Sequence, residues 1–132
     1  MKTVIFDLDG TLALVDKRRA ISFHKDGSKN WDAWFDPKNI QLDEPHWPVI
    51  ETARLYKNAG YNIAIISGRS DRTKDATIEW LNQYEVPFDS IQMRPDGGKT
   101  KFMGDVPLKI TIEDPSGSSA IISDKAEVKK LK

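Results

Sequence analysis

The chain has 132 residues, 39% of them apolar and 30% charged, which fits one globular domain with a single core. Its 20 basic and 20 acidic residues give a net charge of zero. This balance argues against an extended surface that coats nucleic acid, but it leaves room for a local basic pocket. The lack of cysteine excludes disulfides and thiolate metal sites, and no apolar run approaches the roughly 20 residues that span a bilayer.

The first predicted element is a short strand over residues 3–7, TVIFD. Its continuous apolar run is typical of a strand that is buried on both faces. The N-terminus resembles a signal peptide only briefly, because Asp7 and Asp9 end the apolar run too early. We therefore expect a cytoplasmic protein.

Residues 11–45 form a long excursion that is rich in Asp, Lys, Asn and Trp and has weak periodicity. Excursions of this length inside a compact domain are usually functional. We expect one domain over residues 1–132, with residues 11–45 as a small cap and a helical turn near residues 31–35. Its aromatic residues, Trp31, Trp34 and Phe35, either stack on a nucleobase or pack the excursion onto the core.

The second half of the chain alternates helices and strands. A helix begins near Pro48 and stops near Gly60. The remaining predicted elements are a strand over 61–66 that ends at Ser67 and Gly68, a helix over 71–84, a strand over 90–94, a short helix over 105–113, a strand over 120–123 and a final charged helix. This alternation predicts an α/β fold with a parallel sheet and helices on both faces.

Chemistry-bearing side chains follow the predicted strands. Asp7 and Asp9 end the first strand, Ser67 ends the second, Lys109 lies in the short helix, and Asp124 follows the last strand. In open parallel sheets, ligands bind beyond the carboxyl ends of the strands. Carboxylates, a hydroxyl and a lysine together suit a phosphoryl transfer assisted by Mg²⁺.

Four motifs in this order resemble those of the haloacid dehalogenase (HAD) superfamily of phosphohydrolases, whose fold is Rossmann-like: DLDGT, IISGRS, DVPLK and AIISD. Within it, the stretches NWDAWF, SGRSD and VPFDSIQMRPDG are similar to the 3′-phosphatase domain of polynucleotide kinase-phosphatases. No GxxxxGK[ST] motif occurs, so the kinase half is missing from this sequence. Whether the chain is part of a larger kinase-phosphatase is left open.

The resemblance implies a role for each matching residue. Asp7 would be the nucleophile, and Asp9 would be the general acid and base, with its pKa raised by burial and by the neighbouring carboxylate. Ser67 and Lys109 would bind phosphate oxygens. The implied Mg²⁺ would bind the Asp7 carboxylate, the Asp9 backbone carbonyl and Asp124, for which Asp114 is a rival. Expected substrate contacts are Thr11, Arg18, Trp34, Gly68 and Arg69, although Arg18 is as well explained as a solvated charge.

The implied substrate is a phosphorylated nucleic-acid end or a nucleotide, cleaved through an aspartyl-phosphate intermediate. Two alternatives stay open: a HAD phosphatase of small phosphorylated metabolites, and a HAD-fold binding protein with little activity. The sequence does not distinguish RNA from DNA, and it does not indicate an oligomeric state.

Overall fold

The computed structural model describes residues 2–95, 119–122 and 129–131. In chain order their elements are β1 (Thr3–Phe6), β2 (Ala13–Leu14), α1 (Asp16–Ala20), α2 (Trp31–Trp34), a 3₁₀ helix (Pro37–Leu42), β3 (Glu44–Pro45), α3 (Trp47–Asn58), β4 (Asn62–Ser70), a second 3₁₀ helix (Asp71–Thr73), α4 (Lys74–Gln83), β5 (Ser90–Arg94), β6 (Ser119–Ile122) and β7 (Lys129–Leu131).

Five of these strands form one sheet in the order β5-β4-β1-β6-β7. The first four are parallel, and β7 runs antiparallel to β6. β1 lies in the centre with all four of its residues buried, which explains its continuous apolar run. The predicted α/β class with a parallel sheet is confirmed.

Three predicted elements differ from the structure. β4 continues past residue 66 to Ser70, with a register shift against β5 between Ser67 and Ser70. Helix 71–84 begins with a 3₁₀ turn, in which the Ser70 side chain accepts a hydrogen bond from the Arg72 backbone nitrogen. The prediction of a helix through the final residues is wrong at 129–131, which form β7, because pairing with β6 prevails over weak helical periodicity. The predicted helix over 105–113 lies outside the described residues.

The excursion leaves and returns through a small stem. β2 and β3 pair antiparallel, with Ala13 opposite Pro45 and Leu14 opposite Glu44. His46 closes this stem, since its backbone nitrogen donates to the Leu12 carbonyl at 3.0 Å and its Nδ1 lies 2.8 Å from the Thr11 carbonyl oxygen. The two ends of the excursion are therefore fixed beside the turn that follows β1.

One hydrophobic cluster joins the sheet, the helices and the excursion. β1 contributes Val4 and Phe6, α4 contributes Trp80 and Leu81, and Trp34 joins them from α2. In the described part of the chain, no helix has both the length and the apolar character needed to cross a membrane.

Asp89 fixes the entry to β5. Its Oδ2 accepts a hydrogen bond from the Ile63 backbone nitrogen at 2.7 Å, and its Oδ1 accepts one from Lys57 Nζ at 2.6 Å. Burial alone would raise the pKa of Asp89, but these hydrogen bonds and the charge of Lys57 outweigh it and lower the pKa.

We expect Asp89→Ala to lower the free energy of unfolding by about 1–2 kcal/mol at pH 7. Because the folded-state pKa is lowered, the stabilisation is present above the unfolded-state pKa and is lost as pH falls through the folded-state pKa. Urea unfolding of both proteins at pH 7 and near pH 3 measures the difference. A difference that does not shrink at the lower pH would contradict this role for the ionised carboxylate.

Candidate active site

The two acids of the first motif lie in a tight turn at the carboxyl end of β1. Asp7 is half-buried, and its Oδ1 accepts a hydrogen bond from the Leu8 backbone nitrogen at 2.8 Å. Gly10 then adopts φ 77°, a left-handed conformation that glycine adopts without strain. The amides of Thr11 and Ala13 both donate to the Leu8 carbonyl. The chain thus turns sharply after Asp9, and this turn forms one edge of the site.

Ser67 belongs to the same edge of the sheet. Phe6 lies opposite Ile65 in parallel register, so Ser67, two residues further along β4, lies at the level of the turn that follows β1. Ser67 is buried, and its Oγ accepts a hydrogen bond from the Arg69 backbone nitrogen at 3.1 Å. The Ser67 hydroxyl hydrogen can therefore be donated to a ligand oxygen.

Asp9 is held by two arginines through a single carboxylate oxygen. Its Oδ1 accepts hydrogen bonds from Arg18 Nη2 at 3.0 Å and from Arg69 Nε at 2.8 Å, and Arg69 Nη2 lies 2.7 Å away. The Asp9 side chain is 27% exposed. Within the described residues, its Oδ2 accepts no hydrogen bond, so this oxygen can face a reacting group.

Asp43, from the far end of the excursion, completes a buried network of two arginines and two aspartates. Arg18 Nε donates to Asp43 Oδ1 at 2.9 Å, and Arg69 Nη2 donates to Asp43 Oδ2 at 2.7 Å. The side chains of all three residues are fully buried. Because both guanidinium groups are paired with carboxylates, the free-energy cost of burying them is offset. The same network joins the excursion to the turn after β1 and to β4.

This network overturns the expected pKa of Asp9. Burial raises the pKa, but the charges of Arg69 and Arg18 and their hydrogen bonds outweigh it, so the pKa of Asp9 is lowered below its usual value. The prediction of a raised pKa is therefore wrong for the protein without substrate. For Asp43 the outcome is the opposite. Burial raises its pKa, and the charges of Arg18 and Arg69, which lower it, do not outweigh burial.

Arg18 and Arg69 were expected to contact substrate, but the structure gives them internal partners. Besides the aspartates, Arg18 Nη1 donates to the Trp34 carbonyl at 2.9 Å, and Arg69 Nη1 donates to Thr77 Oγ1 at 3.0 Å. Both side chains are fully buried, because a guanidinium with this many fixed acceptors needs no water. They are placed to orient Asp9.

Trp34 does not offer a free ring face in the way a stacking platform would. It is 9% exposed, with the Arg18 guanidinium carbon 3.9 Å and Lys29 Nζ 3.7 Å from its ring centroid. Trp34 was expected either to stack on a nucleobase or to pack the excursion onto the core, and in the structure it packs onto the core. Trp31 differs, since it is 58% exposed and stacks against Phe35.

Thr11 lies in the turn that follows β1, and Gly68 lies near the carboxyl end of β4. Thr11 is buried, and its Oγ1 has no hydrogen-bond partner in the described part of the chain. A Cβ added to Gly68 would meet no atom within 4 Å, so the space beside this backbone is open. An unsatisfied buried hydroxyl and an open backbone edge both suit a bound oxyanion.

Three predicted residues, Lys109, Asp114 and Asp124, lie outside the described residues. Among the residues described, no group of three or more Asp, Glu, His or Cys side chains could hold a metal ion. The donors at the β1 turn are a carboxylate and backbone carbonyls, which are the oxygen ligands that Mg²⁺ prefers. Since Mg²⁺ commonly uses one or two carboxylates with water and substrate oxygens, this donor set fits it.

Asp43 and Thr77 carry no local sequence signal that would select them as site residues. Asp43 is one of 20 acidic residues, and its distance in sequence from Arg18 and Arg69 hides the contact. The available signal was indirect: an arginine that follows a buried strand needs an acidic partner if it is buried too.

This parallel sheet, with two aspartates in a turn after its central strand, fits the Rossmann-like fold of the HAD superfamily. Residues 1–105 match the model of one family in it, described as the polynucleotide kinase PNKP phosphatase domain. The match covers more than half of the chain, and the chain belongs to this family.

Solved structures agree with this membership. A chain of the Pnkp1/Rnl/Hen1 complex is 29% identical with a TM-score of 0.58, over 76% of this chain and 30% of that one. A chain of the Pnkp1/Rnl/Hen1 RNA repair complex is 28% identical with a TM-score of 0.59, over 76% of this chain and 28% of that one. This chain therefore corresponds to less than a third of the length of each.

Proposed function

We propose that this chain is a Mg²⁺-dependent phosphomonoesterase that removes 3′-phosphates from nucleic-acid ends through an aspartyl-phosphate intermediate. The observation that carries the proposal is the paired geometry of the β1 turn. Asp7 is partly accessible, and two residues later Asp9 is held through one oxygen by Arg18 and Arg69. The arrangement suits a nucleophile beside a fixed proton carrier.

In the first step, a carboxylate oxygen of Asp7 attacks phosphorus, and the bond from phosphorus to the 3′-oxygen breaks. An aspartate with an ordinary pKa of about 3.9 is ionised at neutral pH, so no base is required. Asp9 gives its proton to the departing 3′-oxygen. The negative charge of a bound phosphate favours that proton on Asp9, against the two arginines that disfavour it.

In the second step, water attacks the phosphorus of the aspartyl-phosphate, Asp9 takes a proton from this water, and Asp7 is released with inorganic phosphate. The same Asp9 oxygen must reach both the leaving oxygen and the water. Arg18 and Arg69 fix Oδ1 and thereby hold Oδ2 in one orientation for both steps. Ser67 donates its hydroxyl hydrogen to a phosphate oxygen.

The Asp7 carboxylate, the Asp9 backbone carbonyl and Asp124 would hold Mg²⁺, which supplies charge neutralisation on the transferring phosphate. The topology supports Asp124 over Asp114. β6 is parallel to β1 and ends at Ile122, opposite Phe6, whereas residue 114 precedes the start of β6. We propose Lys109 as a further phosphate ligand, and residues 1–132 as one domain with residues 11–45 as its cap.

The 3′-phosphate substrate rests on family membership and on the two similar chains, one of which belongs to a complex described as an RNA repair complex. The cap of residues 11–45 is small, and by analogy a small cap favours the end of a polymer over a small enclosed metabolite.

The purified chain is expected to hydrolyse p-nitrophenyl phosphate with Mg²⁺ and to lose this activity with EDTA. It should prefer a 3′-phosphorylated oligonucleotide to a 5′-phosphorylated one, a mononucleotide and glucose 6-phosphate by at least tenfold in kcat/KM, with RNA and DNA compared in parallel. Activity that persists in EDTA contradicts the metal, a preference for small substrates supports the metabolite phosphatase, and no turnover at all supports the binding protein.

A further inference from the structure

Lys29 lies inside a group of aromatic rings contributed by the excursion. Its Nζ is 3.7 Å from the Trp34 ring centroid, 5.3 Å from that of Phe23 and 5.6 Å from that of Trp31. Trp34 is buried, but Phe23 is 48% exposed and Trp31 is 58% exposed. The cation is thus held against a buried ring, and two half-exposed rings extend from it into solvent. We call Phe23, Lys29 and Trp31 the flap patch.

The flap patch is held in a fixed shape. Phe23 and Lys29 pair antiparallel, which places their side chains on one face of a short hairpin. Asp26 accepts hydrogen bonds from the backbone nitrogen and the hydroxyl of Ser28 in the hairpin turn. Ser22 Oγ donates to the Arg18 carbonyl at 2.6 Å, so the hairpin base is fixed to the helix that supplies an Asp9 contact.

Lys29 lies near the residues that hold Asp9 and near two other cations, Arg18 and Arg19. It shares the Trp34 ring with Arg18, which bonds directly to Asp9. Burial and the charges of Arg19 and Arg18 lower the pKa of Lys29, against the attraction of Asp9. Arg18 is paired with Asp43 and Arg19 with Asp16, whereas no carboxylate of the described residues lies within 4.0 Å of Lys29.

A cation beside other cations, with no acid partner among the described residues, attracts an anion. Exposed aromatic rings beside it add a stacking surface for which every nucleobase is a suitable partner. Among anions, a single-stranded nucleic acid uses both features at once, because each phosphodiester carries a base next to it. A free phosphate would use the cation alone and would leave the two rings unoccupied.

We infer that the flap patch binds the single-stranded nucleotides next to the phosphorylated end, with Lys29 on a phosphodiester and Trp31 and Phe23 on a base. This inference rests on the proposed function for the identity of the end. It adds that the excursion selects polymeric, single-stranded substrates through contacts outside the reacting phosphate. Lys29 then acts on substrate affinity and not on the chemical step.

The test compares Lys29→Gln with Lys25→Gln, a matched control because Lys25 is an exposed lysine of the same hairpin. The probe is a fluorescein-labelled, single-stranded oligonucleotide with a 3′-hydroxyl, which needs no catalysis, and binding is followed by anisotropy across a salt series. Lys29→Gln should weaken binding roughly tenfold and make the slope of log K against log salt less negative by about 0.7. Lys25→Gln should change neither value, and Lys29→Arg should restore the slope.

Trp31→Ala tests the stacking part and should weaken binding roughly tenfold or more without changing the salt slope. Thermal unfolding of each variant separates packing from binding. If Lys29→Gln lowers the Tm but leaves affinity and salt slope at the wild-type values, Lys29 only packs on Trp34 and the inference is overturned. Because the probe carries no phosphate monoester, these outcomes are independent of whether 3′-phosphatase activity is found.

Discussion

Asp7→Asn is expected to lower kcat for p-nitrophenyl phosphate and for a 3′-phosphorylated oligonucleotide by roughly four orders of magnitude or more. An amide oxygen is a poor nucleophile and carries no charge for Mg²⁺, so the substitution removes the attacking group and one metal ligand together. Asp7 is half-buried at the end of β1, and its Oδ1 accepts a hydrogen bond from its own neighbour Leu8. An amide oxygen can accept the same bond, so we expect the variant to fold.

The matched control is Asp75→Asn, which changes an exposed acid in the first turn of α4. It should retain wild-type kcat, and circular dichroism should show the same fold for both variants. Beryllium fluoride provides a second measurement, since its adduct on wild-type protein should map to Asp7 and be absent from Asp7→Asn. Residual activity above a hundredth of wild type, or an adduct on another residue, would refute a covalent role for Asp7.

The strand tip could be predicted from sequence because its signals are local. A continuous apolar run predicts a central strand, and two acids before a glycine predict a turn that exposes them. Register then brings Ser67 beside this turn, and parallel strands make that register a consequence of topology. Gly10 confirms the local reasoning, since its positive φ is what the turn after Asp9 requires.

The environment of Asp9 could not be predicted in the same way. Arg18 and Arg69 are 51 positions apart in the sequence, and Asp43 lies between them, so their meeting depends on how the excursion folds back. Composition favours the solvated interpretation of such residues, because arginine and aspartate are rarely buried alone. The arginines and Asp43 are buried here because their charges and hydrogen bonds are paired with one another. This pairing cannot be read from any one of these residues alone.

Trp34 illustrates the same limit. The stretch NWDAWF places its two tryptophans three positions apart, near enough on a short helix for both to be candidates for stacking. Only the fold separates them, since Trp34 is covered by Arg18 and Lys29 while Trp31 stays exposed. The aromatic content of this stretch therefore does not by itself say which tryptophan is packed and which is exposed.

The buried network leads to the second large prediction, a loss of stability in Asp43→Asn. The substitution leaves two fully buried guanidinium groups with one carboxylate, that of Asp9, which is itself partly exposed. Breaking a buried ion pair from one side costs about 3–5 kcal/mol of unfolding free energy, because the remaining charge stays buried without compensation. Urea unfolding at pH 7 measures the loss.

The neighbouring acid provides the control. Glu44 pairs with Lys17 at 3.1 Å, but the two side chains are 56% and 67% exposed, so Glu44→Gln should cost no more than about 1 kcal/mol. Asp43→Asn should also lower kcat, since Asp43 accepts hydrogen bonds from Arg18 Nε and Arg69 Nη2 and so helps to hold both guanidinium groups against Asp9. Similar small losses from both substitutions would mean that the arginines do not depend on Asp43. A stability loss with unchanged kcat would make Asp43 a structural residue with no part in the positioning of Asp9.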